Sequence, residues 1–243
     1  MEKTVSFVVL FGLPGSGKST FSRVLAGHCK EEGLLCTEIS RDLFRLQEDG
    51  TYKFIMEREP AIQAAHLESL CQLSEERIHD VIIVDDANLN IDQILSTLLA
   101  INNNNNNVFL VDICPLPIEI HAERLKANGH AMPAERLIEM RRIYYQTKEK
   151  VNTLNIHMHT IKVANECFLD GTYNEQQASL FEQAIDSILK EVESKERFCF
   201  EFLGFHVEHL PWVKRTLLDK FKKHVQGVIQ EKEEEPATKK SKQ

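Results

Sequence analysis

Apolar positions in this chain fall into blocks that switch between two periods. Residues 5–11 form an almost unbroken apolar run, short enough for a strand and too uniformly hydrophobic for a sheet edge. Phe21, Val24, Leu25 and Cys29 then recur at helical spacing up to Gly33, which suits a helix C-cap. Residues 34–40 predict a second strand, and residues 60–79 a helix with Ile62, Ala65, Leu70 and Leu73 inward. Val81–Val84 is apolar on both faces, as a central parallel strand should be. Residues 91–101 predict a short helix and 108–113 another buried strand. Next come a helix over 118–128 stopped by Gly129 and one over 134–150 started by Pro133, with Leu137, Met140, Ile143 or Tyr144, and Thr147 on one face. Residues 155–163 roughly alternate as a last strand. Residues 175–195 predict a helix with Leu180, Phe181, Ala184, Ile188 and Val192 inward. Strands alternating with helices predict an α/β fold: a three-layer sandwich around a central parallel sheet.

The turn between the first strand and first helix reads Gly12-Leu13-Pro14-Gly15-Ser16-Gly17-Lys18-Ser19-Thr20. It fits the phosphate-loop pattern G-x-x-x-x-G-K-[ST] in the required order of strand, loop and helix. Glycines let successive N–H groups face inward, and the helix end adds its positive dipole, so phosphate oxygens find donors on every side. Lys18 is expected to reach the β- and γ-phosphates of ATP, and Ser19 to hold Mg²⁺. Two further strand ends carry chemistry. Ser40-Arg41-Asp42-Leu43-Phe44-Arg45 follows the second strand, with Asp42 and Arg45 spaced to share a helical face. Asp85-Asp86-Ala87-Asn88 follows Val84, where an acid, here Asp86, commonly adds a second Mg²⁺ contact; capping the next helix is the alternative role. The predicted helix pair at 118–150 bears Arg124, Lys126, His130, Arg136, Arg141 and Arg142, and sits where small phosphoryl-transfer enzymes keep a closing lid.

Composition narrows the setting. The 243 residues suit one α/β domain with an appendage, and the 42% hydrophobic content is enough for a core. No stretch is apolar for the roughly 18 residues a membrane span needs, and the N-terminal run lacks a small-residue cleavage site, so no membrane partner or export is expected. The six cysteines contain no C-x-x-C and sit mostly in apolar patterns, which favours reduced thiols in the cytoplasm or nucleus. A net charge of −8 does not exclude a nucleic-acid partner, because charges are screened over about 8 Å and a local cluster of arginines decides phosphate binding. The asparagines at 102–107 read as a surface loop. Residues 197–230 predict a mostly helical extension with a basic amphipathic helix over 213–229, and 231–243 a disordered charged tail. His206 and His209 lack a metal-ligand pattern. The sequence carries no signature of an oligomeric state.

Taken together, G-x-P-G-S-G-K-S-T (Gly12 to Thr20), R-D-x-x-R (Arg41, Asp42, Arg45), the Tyr52-Lys53-Phe54 stretch, D-x-N-L-N (Asp86, Asn88, Leu89, Asn90) and a lid with Arg124 and Pro133 resemble the kinase domain of polynucleotide 5′-hydroxyl kinases. The resemblance covers residues 5–150. It implies an ATP- and Mg²⁺-dependent kinase domain over 1–196 that moves the γ-phosphate to a 5′-hydroxyl of RNA or DNA, with Asp42 as general base and Arg45 gripping an acceptor phosphate. Catalysis would rest on Lys18, Asp42, Arg45 and Arg124. Ala87 stands where that family commonly has Thr, and Asn128 where a second lid arginine is expected. Arg124, His130 and Arg136 are the cations available to compensate. The chain is also similar to the kinases that phosphorylate the serine on seryl-tRNA, through G-L-P-G-x-G-K-S-T-F and Val84-Asp85-Asp86. A non-catalytic ATP-binding adaptor is the third reading.

Overall fold

The computed structural model describes residues 3–47, 50–101, 106–153, 158–161 and 175–194. The expected extension over 197–230, the tail over 231–243 and most of the asparagine run lie outside the described residues, as do His206 and His209. In chain order the elements are β1 (Ser6–Phe11), α1 (Lys18–Glu31), β2 (Cys36–Ile39), α2 (Arg41–Arg45), a 3₁₀ turn (Met56–Arg58), α3 (Glu59–Glu76), β3 (Val81–Val84), α4 (Ile91–Ile101), β4 (Asn107–Ile113), α5 (Ile118–Ala127), α6 (Ala134–Thr153), β5 (Met158–Ile161) and α7 (Glu175–Ser194). Every predicted strand and helix in the described part is present. No helix among the described residues is long and apolar enough to cross a membrane.

The five strands pair in the order β2-β3-β1-β4-β5, all parallel. β1 is central and fully buried, which is why its sequence is apolar without alternation. Its two faces serve different layers. Val8 and Leu10 join Val81, Ile83, Phe109 and Val111 in a core closed by Phe21, Leu25 and Cys29 of α1 and by Phe181, Ile185 and Ile188 of α7. The ring of Phe21 meets that of Phe181 edge to face, 5.4 Å between centroids. On the opposite face Phe11 stacks on Tyr144 of α6 at 4.7 Å. Tyr144 resolves the open choice at the sequence level between Ile143 and Tyr144: its hydroxyl donates to buried Asp112 at 2.6 Å, and Lys148 reaches the other carboxylate oxygen at 2.5 Å. A buried carboxylate is costly unless paired, so this trio fastens the second half of α6 to β4.

One helix buries a different stripe from the one predicted. The inward positions of α3 are Ile62, His66, Leu70 and Ser74, spaced by four, in place of Ala65 and Leu73. Two of the four are polar because each has a buried partner. His66 faces Asp86 at 3.2 Å, while Ser74 donates to the carbonyl of Ile101 at 3.2 Å and accepts from Asn106 at 2.6 Å. The helix also stops at Glu76, short of His79, because Arg77 turns left-handed at φ 51°.

Candidate active site

Strand order decides what meets at the carboxyl edge of the sheet. Because β2, β3, β1 and β4 are successive neighbours, the segments 40–45, 85–90, 12–17 and 114–117 lie side by side at the point where the order reverses. That is where open α/β sheets bind ligands.

The phosphate loop is held from both sides. Gly12 donates to the carbonyl of Ala87 at 3.1 Å, and a Cβ at Gly12 would stand 2.7 Å from the backbone oxygen of Ile113. Gly15, at φ 75°, lies against His121 of α5, and Gly17, at φ 103°, begins α1. Lys18 is buried and donates to the carbonyls of Gly12 at 3.1 Å and Leu13 at 2.8 Å. Burial lowers its proton affinity, and the fields of Asp85, Asp86 and Asp42 oppose that shift. The Ser16 hydroxyl is buried without a hydrogen-bond partner. An orphaned donor beside a cradle of inward N–H groups fits a phosphate oxygen.

His121 is the loop's hidden support. The Leu116 N–H donates to its Nε2 at 3.0 Å, which leaves Nδ1 to donate to the Pro14 carbonyl at 2.8 Å. The ring is fully buried and held neutral: burial, with the charges of Lys18, Arg124 and Arg141, pushes its pKa down to about 4. The only sequence signal was its place on the Ile118–Leu125 inward stripe, where a histidine looks like one more core residue. Its depressed pKa makes a measurable prediction. Between pH 6.5 and 4 the unfolded chain takes up a proton that the folded ring refuses, so stability falls with pH across that window. His121 is expected to make the protein about 2 kcal/mol less stable at pH 5 than at pH 7, and His121→Gln to remove that slope in urea unfolding.

The two acids after β3 have separate surroundings. Asp86, expected to bind Mg²⁺, accepts the backbone N–H and the Nε of Arg41, each at 3.1 Å, and its other oxygen lies 3.2 Å from His66 Nε2 but off the hydrogen-bond angle. Burial lowers the proton affinity of His66, so the ring is neutral at pH 7. Asp86 therefore fastens the first residue of α2 to β3. Asp85 instead faces the hydroxyl of Ser19 and lies in the field of Lys18; burial raises its proton affinity. Asn88 takes the left-handed conformation at φ 47° and donates to the Leu10 carbonyl at 2.8 Å, tying this loop to β1.

On α2, Asp42 is 66% exposed and accepts from Arg45 Nη1 at 2.5 Å, so the spacing of three does bring them onto one face. Arg45 differs from the open phosphate clamp expected of it. Its guanidinium is forked on Glu59 by bonds of 2.9 and 2.6 Å and lies 5.5 Å from the Phe54 ring. Those acids raise its proton affinity and compensate its charge. Glu59 lies one residue before the helix that the sequence predicts over 60–79 and carries no local signal for this role. From α5, Arg124 donates to the Gly15 carbonyl at 3.2 Å, directly on the phosphate loop.

Sheet order, cradle and flanking acids define a P-loop kinase-like protein. Residues 7–147 match the AAA domain family, over half of the chain, and the chain belongs to that family. Among solved structures, similar ones include the Pnkp1/Rnl/Hen1 RNA repair complex, at 22% identity and TM-score 0.51 over 62% of this chain and 47% of that one. Kti12 from Chaetomium thermophilum, in complex with ADP-AlF3, is similar at 16% identity and TM-score 0.53 over 76% of this chain and 98% of that one. Shikimate kinase from Acinetobacter baumannii, in complex with shikimate, gives 15% and 0.51 over 78% and 96%. The chain thus spans less than half the length of the first of these, and at such identities the likeness is one of fold. No curated protein matches the chain by sequence.

Proposed function

We propose that this protein is an ATP- and Mg²⁺-dependent kinase that transfers the γ-phosphate to a hydroxyl of a nucleic acid, with the 5′-OH end of RNA or DNA as acceptor. The observation that carries this reading is the exposed carboxylate of Asp42 at the same carboxyl edge of the sheet as the phosphate loop with its buried Lys18. A kinase acting on an alcohol needs that pair: a cation on the transferring phosphoryl group and an open base beside it.

ATP would lie over Gly12 to Thr20, with its phosphates on the backbone N–H groups, the Ser16 hydroxyl and Lys18. Among the described residues no group of three or more His, Cys, Asp or Glu could hold a metal unaided. Mg²⁺ carried on nucleotide phosphates needs only one or two protein oxygens, and the Ser19 hydroxyl with the Asp85 carboxylate would supply them. We assign the acid to Asp85 in place of Asp86, whose oxygens already serve Arg41 and face His66. The ion would neutralise charge on the β- and γ-phosphate oxygens. Asp42 accepts the hydroxyl proton as the new O–P bond forms and the bond to the β-phosphate oxygen breaks. Arg124, which donates to the Gly15 carbonyl, and Arg141, whose charge reaches His121, are the cations of α5 and α6 that we assign to the phosphates.

Asp85 beside Ser19 also favours the second reading, seryl-tRNA as acceptor, since the Val84-Asp85-Asp86 run is what that resemblance rests on. Incubation with γ-labelled ATP, Mg²⁺ and in turn 5′-OH RNA, 5′-OH DNA and seryl-tRNA separates them. Label at a 5′ end is the expected result. Label on the seryl group alone establishes the second reading, and nucleotide binding with no label on any of the three removes the kinase assignment in favour of an adaptor.

A further inference from the structure

Next to Asp42 lies a surface that the proposed chemistry does not use. After α2 the chain doubles back in a short antiparallel contact. Leu46 bridges Tyr52, Gln47 N–H donates to the Thr51 carbonyl at 2.8 Å, and Lys53 N–H to that of Arg45 at 3.2 Å. The doubling exposes Leu43, Leu46, Tyr52, Phe54 and Met56, five of the nine large apolar side chains that stand out to solvent among the described residues. Apolar groups exposed this way in one short segment beside a site mark a surface suited to a ligand.

Tyr52 is the centre of that surface. Its hydroxyl faces Arg45 and lies in the field of Asp42. Its ring meets that of His130, from the turn between α5 and α6, edge to face at 5.1 Å, yet remains 40% exposed. The hydroxyl end of the side chain thus faces Arg45, the partner of Asp42, and its ring meets His130.

We propose that Tyr52, braced by His130, is the platform on which the base of the acceptor's terminal nucleoside stacks, an assignment that rests on the nucleic-acid reading above. Charge and chemistry both select this occupant. Arg45 is already compensated by Glu59 and Asp42, so a phosphate gains little from it, and acceptor binding must draw on the rings. A small polar acceptor would leave the apolar surface wet. A terminal nucleoside places a planar base one sugar away from the hydroxyl that must reach Asp42, and exposed Lys53 answers the anionic strand that follows. Stacking on an aromatic ring tolerates any base, so the platform recognises a nucleoside end without reading sequence.

The test compares 5′-OH oligonucleotides that are identical except that one has an abasic first sugar, using the full chain and its Tyr52→Leu and Tyr52→Phe variants. With the unaltered protein, loss of the base is expected to raise the acceptor KM about 10- to 100-fold. Tyr52→Leu raises KM by a similar factor on the intact strand and adds little on the abasic one; its effect falls on acceptor KM, with nucleotide KM as the folding control. Tyr52→Phe recovers the preference for the intact strand. Equal KM for the two strands, or a Tyr52→Leu loss that multiplies the abasic loss in full, overturns the platform while leaving the kinase assignment standing. Absence of transfer to every 5′-OH strand overturns the nucleic-acid reading, and the platform with it.

Discussion

Asp42→Asn is expected to slow phosphoryl transfer by about 10²- to 10⁴-fold while leaving nucleotide affinity within a factor of two. The substitution keeps the size of the side chain and removes its capacity to accept a proton. Little else should change. The carboxylate is 66% exposed, an exposed ion pair contributes at most about 1 kcal/mol, and Arg45 keeps its fork on Glu59. Single-turnover transfer, measured beside nucleotide binding by titration calorimetry, separates the two effects. An equal loss of both would assign Asp42 to the metal or to the fold, and an unchanged rate would place the base elsewhere.

The second large effect is a contrast between neighbours. Asp86→Ala is expected to lower the stability of the nucleotide-free protein by about 3 to 5 kcal/mol, because it leaves the half-buried Arg41 cation without its buried partner and frees the start of α2. Asp85→Asn should do the opposite. Burial raises the proton affinity of Asp85, so the charged carboxylate costs stability at neutral pH, and a neutral amide of the same shape holds or raises it. The loss in that variant appears instead in catalysis, as an increased Mg²⁺ requirement and a fall of about 10²-fold or more in rate. Urea unfolding without metal or nucleotide, followed by Mg²⁺ titration of the transfer rate, reads both. The reverse pattern, a stable Asp86 variant with impaired Mg²⁺ response, would return the metal to Asp86.

That contrast shows where the sequence was legible. Two consecutive acids after an apolar strand announce a site, but a strand alternates its side chains, and which acid turns toward Ser19 depends on how the chain leaves the strand. Arg41 and His66 claim Asp86, and they come from β2's exit and from the middle of α3. The same limit explains the α3 stripe. His66 and Ser74 looked like outward polar positions until Asp86 and the Ile101 carbonyl appeared opposite them. His121 was invisible for a related reason, since its partners Pro14 and Leu116 lie on two separate loops. Arg45 was rightly paired with Asp42, yet its stronger partner is Glu59, fourteen residues further on.

By itself the sequence determined the local events: which runs become strands and helices, where glycine lets the phosphate loop turn, and which strand ends carry reactive side chains. These follow from periodicity and backbone sterics, which act over a few residues and are written in neighbouring positions. Only the tertiary structure decided that β3 inserts between β1 and β2, and with it the placing of Asp85 by Ser19, of Asp86 by Arg41 and of Tyr52 by His130. Those choices depend on burying charges against partners far along the chain, and no spacing along a single strand or helix records such a partner.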